Sequence, residues 1–145
     1  MAELFLIAEI AGRRAAIASA DVQSVIEVGH VAPVPRAPAF VAGLTALRSR
    51  ALTVIDARRA LGLSASDMDD DGRAVVSRID GHLYAITVDR VVDVLEAIRV
   101  ADRPDAELGA CWQRVSRGVV ETRTGPALVI DLAAIVAGPR EAGAR

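Results

Sequence analysis

The sequence predicts a mostly β protein: two copies of one small curled barrel, each ending in a short helix, packed around a shared core. Three observations predict it. The 145-residue chain repeats itself, and its apolar runs are short and punctuated by Gly and Asp-Gly. Its apolar content, 52% of residues, comes mostly from Ala, Val, Leu and Ile, with aromatics at only 3%. β-Branched side chains suit a pleated, buried surface. So apolar a chain offsets its ordering entropy, which excludes disorder as its main state.

The repeat has two blocks. Gly12 aligns with Gly81 at an offset of 69, and Ala16, Ile17, Val22, Val25 and Glu27 then fall on Ala85, Ile86, Val91, Val94 and Glu96. Gly43 aligns with Gly118 at an offset of 75, which places Arg48 on Arg123 and Val54-Ile55-Asp56 on Val129-Ile130-Asp131. The second copy thus carries about six extra residues, around Pro104 to Arg117. The copies divide the chain into subdomains 1–65 and 66–145. Either alone is marginal in size, and packing them together enlarges the core.

The elements follow in order. Leu4 to Ile10 and Ala15 to Ala18 read as strands joined at Gly12; Ala74 to Ile79 and Leu83 to Val88 match them across Asp80-Gly81. Asp-Gly favours a two-residue turn because both central residues take positive φ. A third strand is Val25 to Val28, matched by Val92 to Ile98. A hairpin closes each copy: Leu44 to Arg48 with Ala51 to Ile55, and Val119 to Arg123 with Ala127 to Ile130. Thr124-Gly125 suits its turn, whereas Ser49-Arg50 enters positive φ at a cost. Asp56 then caps a helix Ala57 to Leu61 that stops at Gly62, and Asp131 caps Leu132 to Ala137 before Gly138-Pro139. Ser64 to Gly72 reads as a surface loop between copies, and Pro139 to Arg145 as a frayed tail.

Composition narrows function. The net charge is −2, so no basic excess supports nucleic-acid binding. All 17 basic residues are arginine, which removes Schiff-base and P-loop lysine chemistry. A single cysteine, Cys111, excludes an intrachain disulfide and a cysteine-rich zinc site and reads as a small apolar residue. The apolar start is broken by Glu3 and Glu9 and lacks a positive leader, and no run reaches 18 apolar residues, so a soluble cytoplasmic protein is expected.

The chemistry-bearing residues are few. His30 and His82 lie at a strand end and a turn, where histidines are usually solvated, and no catalytic motif surrounds either; no catalytic residue, resident metal or cofactor is expected. Asp67, Asp69 and Asp71 with Gly72 match the first half of a calcium loop, but Arg78 stands where the bidentate Glu belongs, so a metal-regulated binding module is the alternative reading. Arg48, repeated as Arg123, is either a brace for its turn or a fork aimed at a partner carboxylate. Trp112 is either a plug over the core or an exposed anchor.

The stretch Pro33-Val-Pro35 through Gly43-Leu-Thr-Ala-Leu-Arg48 and Val54-Ile-Asp56 to Leu61-Gly62 resembles the CheW family, as do Val22-x-x-Val25-x-Glu27-Val28 and Val88-Asp89-x-Val91. Leu47-Arg48-Ser49 departs from that family's Leu-Arg-Gly, and Ala46 from its usual Asn. The resemblance covers about residues 3–137. It implies two SH3-like five-stranded barrels sharing a core. It implies a non-enzymatic adaptor in bacterial chemotaxis, linking the regulatory domain of the histidine kinase CheA to the cytoplasmic tips of chemoreceptors at arrays on the inner membrane. Val25, Glu27, Val28 and Arg48 match family positions of partner contact; Val25 and Val28 are alternatively ordinary core.

Overall fold

A computed structural model describes residues 3–63, 72–101 and 109–139. The strands are β1 (Leu4–Ile10), β2 (Arg13–Ala18), β3 (Ser24–Glu27), β4 (Val41–Leu47), β5 (Arg50–Ile55), β6 (Arg73–Ile79), β7 (His82–Val88), β8 (Arg90–Glu96), β9 (Arg99–Ala101), β10 (Ser116–Thr122) and β11 (Gly125–Ile130). Among the described residues the α-helices are α1 (Ala57–Ala60), α2 (Ala110–Val115) and α3 (Leu132–Ala137), and a single 3-10 turn spans Ser19–Asp21. The strands form two curled sheets, ordered β8-β1-β2-β11-β10-β9 and β3-β6-β7-β5-β4.

The two orders are the same order under the repeat. β3, β6, β7, β5 and β4 correspond to β8, β1, β2, β11 and β10. The registers agree residue by residue: Thr53 opposes Tyr84 as Leu128 opposes Ala15, and Val54 opposes Ala85 as Val129 opposes Ala16. Even β9 has a counterpart, since Ala101 on Val119 repeats the isolated bridge of Ala32 to Leu44. Both sheets draw strands from each side of the division at 65/66. Each copy lends its first hairpin to the other copy's remaining strands, β6–β7 to β3, β4 and β5 and β1–β2 to β8, β9, β10 and β11, so neither half closes a sheet by itself. Burial gives the reason. β1 is buried on both faces, with Phe5 and Ile7 in one cluster and Leu6, Ala8 and Ile10 in another. Such a strand belongs inside a sheet with a core on each side, and β1 sits between β2 and β8.

Three apolar clusters result. Phe5, Ile7, Ala16, Leu95 and Val120 fill the six-stranded barrel. Leu52, Val54, Ala74, Val76 and Ala85 fill the five-stranded one. The largest cluster lies between them and includes Ile17, Ile55, Val75, Ile86, Ile130 and Ile135. Asp56 Oδ1 accepts from the Arg58 and Arg59 amides at 3.1 and 3.3 Å, and Asp131 Oδ1 accepts from Ala134 N–H at 3.3 Å, so both expected helix caps are present.

Several details differ from expectation. Both closing hairpins turn one residue earlier, at Arg48-Ser49 and Arg123-Thr124, because Leu47 pairs Arg50 and Thr122 pairs Gly125. Arg48 and Ser49 take φ of 51° and 69° without a glycine. Val92 to Ile98 is not one strand: the ladder ends at Glu96 and β9 begins at Arg99, which gives the second copy six strands among the described residues. The extra segment holds α2, which carries Trp112 and Val115 into the shared core. Trp112 is therefore the plug, with the Arg13 guanidinium 5.1 Å from its ring centroid.

Candidate functional site

The four candidate contact residues lie on the five-stranded barrel and do not converge on one point. β3 is its edge strand, hydrogen-bonded to β6 alone. Along it, Val25 is half-buried and packs on the shared core, while Ile26, and Val28 just past the strand's end, pack toward the barrel interior. Glu27 is exposed and lies 3.9 Å from Arg73 Nη2, across the β3–β6 ladder. The Val28 amide donates to Gly72 O at 2.7 Å. Arg48 stands apart, exposed on the β4–β5 turn. The curl of the sheet brings that turn against the start of β3: Gln23, Ser24, Leu47, Arg48 and Leu52 line one depression of about 380 Å³.

The repeat separates the two readings of Arg48. Its mate Arg123 pairs with Asp93 across 3.9 Å. The residue equivalent to Asp93 is Ser24, which lines the same depression as Arg48 and carries no carboxylate. Among the described residues Arg48 has neither an ion pair nor a side-chain hydrogen bond, so it does not brace its turn. An exposed guanidinium in this state is a donor fork open to an external carboxylate.

Sequence reasoning missed Arg50 and Arg78. They line a second depression of about 410 Å³ with His82 and Leu83, and Arg50 and Leu83 also line the first. Neither matches an arginine in the other copy, so the repeat did not mark them. The available signal was alternation. Arg50 shares a face with Leu52 and Val54, and Arg78 shares one with Val76 and Ala74.

The remaining candidates carry little chemistry. His30 and His82 are exposed, and the backbone of His30 accepts from Thr45 Oγ1 at 2.8 Å. Asp67, Asp69 and Asp71 lie outside the described residues. Among the described residues no group of three or more His, Cys, Asp or Glu comes together to hold a metal, and no helix is long and apolar enough to cross a membrane.

Known proteins share both sequence and fold with this chain. A family model for the CheW-like domain matches residues 4–140. The chain is 28% identical over 89 residues to a chemotaxis protein CheW of Rhizobium meliloti, a match that covers 61% of this chain and 57% of that protein. It is 26% identical over 117 residues to a chemotaxis protein CheW of Treponema pallidum, covering 77% and 68%. The scaffolding protein TtCheW of Thermoanaerobacter tengcongensis superposes with a TM-score of 0.78 at 20% identity, over 91% of this chain and 86% of that one, which is a likeness of fold.

Proposed function

The chain belongs to the CheW-like domain family, and from that premise we propose that it is a non-enzymatic adaptor of a chemosensory assembly. In this reading it couples the regulatory domain of the kinase CheA to the cytoplasmic tips of chemoreceptors, and works in the cytoplasm at receptor arrays. Edge strands and the surfaces between two barrels suit a protein that holds others. One observation carries the contact assignment: of two repeat-equivalent arginines, Arg123 is paired within the chain and Arg48 is not. Arg48, with Val25 and Glu27 on the adjoining edge strand and Val28 just after it, forms the proposed partner surface.

The test is assembly of the ternary complex from purified receptor tip, CheA and this chain. Arg48→Glu should weaken kinase recruitment at least tenfold while the melting transition stays put, since a lone surface charge change alters stability little. Undiminished assembly by Arg48→Glu removes Arg48 from the surface. Wild-type protein that binds neither CheA nor receptor at tens of micromolar ends the adaptor reading.

A further inference from the structure

We infer that the end of the five-stranded barrel at which β4–β5 and β6–β7 turn is a docking site for a partner segment bearing an apolar side chain flanked by carboxylates. The proposal deepens the adaptor reading, because Arg48 belongs to both. The two depressions described above adjoin there through Arg50 and Leu83. Their floor is apolar: Leu47 and Leu83 are half-buried over Leu52 and Val76. Their rim is cationic, formed by Arg48, Arg50 and Arg78. None of these three has a carboxylate partner among the described residues; Arg78 donates to Gly81 O at 3.2 Å, a neutral acceptor in its own turn.

The repeat supplies an internal control. At the equivalent end of the six-stranded barrel, Arg14 replaces Leu83 and donates to the hydroxyls of Thr122, at 3.3 Å, and Thr124. Glu9 replaces Arg78 and pairs with Arg90, Gly125 replaces Arg50, and Arg123 has Asp93. One scaffold therefore has two ends. The first is closed by its own side chains. The second leaves three guanidinium groups over leucines in a chain of net charge −2. Unpaired arginines around an apolar floor select an occupant by complementarity: carboxylates for the forks and an aliphatic group for the floor.

The experiment is a titration of isotope-labelled protein with the pentapeptide acetyl-Glu-Glu-Leu-Glu-Glu-amide at low ionic strength, read by amide and arginine Nε resonances. Shifts should concentrate at Arg48, Arg50, Arg78 and Leu83. Arg50→Glu/Arg78→Glu should weaken binding about tenfold or more. Reversing the exposed Arg36 and Arg99, which lie elsewhere, should leave it unchanged. Replacing the peptide leucine by glycine should weaken it about tenfold, the worth of one buried aliphatic side chain. If the double reversal fails to melt cooperatively, Arg50→Gln/Arg78→Gln takes its place with the same expectation. Equal binding by the double variant, shifts spread over Arg36 and Arg99, or no saturation at millimolar peptide overturns the proposal. Kinase and receptor play no part in this titration, so its failure and the failure of the adaptor reading are separable.

Discussion

Asp89 Oδ2 accepts a hydrogen bond from the Gly12 amide at 2.8 Å, across 77 positions of sequence. Its other oxygen lies 3.9 Å from Arg58 Nε on α1. A single carboxylate thus ties the exchanged first hairpin to the element that follows the other barrel. Asp89→Ala should destabilise the protein by about 1–2 kcal/mol, since it removes a charge-assisted hydrogen bond to an exposed turn amide and leaves a half-buried guanidinium without its counter-charge. Asp89→Asn, which keeps an acceptor for Gly12, should lose less. Urea denaturation of the two variants checks the order.

Ser49 occupies φ of 69° and Arg48 φ of 51°. A residue with a Cβ is strained there, and glycine is not. Ser49→Gly should therefore raise stability by about 0.5–1 kcal/mol, visible as a higher denaturant midpoint at unchanged slope. A lower midpoint would show that Ser49 contributes something other than turn geometry.

Gly43 has the opposite sensitivity. A Cβ built there falls 2.2 Å from Ala32 O and 2.8 Å from Val31 Cγ1, at a φ of 148°. The first neighbour is backbone in the Ala32–Leu44 bridge and has little room to yield. Gly43→Ala should cost about 3 kcal/mol, measured by thermal unfolding. Gly12→Ala meets nothing within 4 Å and pays for conformation alone, so it should cost less.

Trp112 is 6% exposed and contributes to the shared core beside Val115. Trp112→Ala should cost about 3–5 kcal/mol by cavity formation. Arg13→Ala, which removes only the cation over the ring, should cost under about 1 kcal/mol. Chemical denaturation followed by circular dichroism, which does not depend on the indole signal, compares the pair.

Much of the fold was legible because local chemistry and long-range packing agree in most elements. β1 was readable to the residue from its apolar run and the turn at Gly12, and both helix caps from a single Asp each. What sequence did not reveal was partnership. The run Leu4 to Ile10 pairs equally well with β2 whichever barrel hosts the hairpin, and only tertiary packing selects β8 as its other neighbour. The turn at Arg48-Ser49 was misplaced by one residue because neither side chain advertises positive φ; the register of Leu47 on Arg50 imposes it. α2 was missed for its brevity, six residues without a side-chain cap. At the candidate site, Arg48 was visible through its repeat mate. Its freedom from a carboxylate became visible only when Ser24 was seen to stand where the other copy has Asp93.

The reciprocal loan of first hairpins has a bearing on how the polypeptide tolerates a cut. Severed anywhere between Leu63 and Gly72, it would yield two fragments, each holding a hairpin whose two sheet neighbours, β8 and β11 for one and β3 and β5 for the other, lie on the other piece. Neither fragment owns a finished enclosure. Mixed together, they have every hydrogen-bonding edge needed to reassemble by mutual completion, as a two-part lock whose halves are meaningless singly.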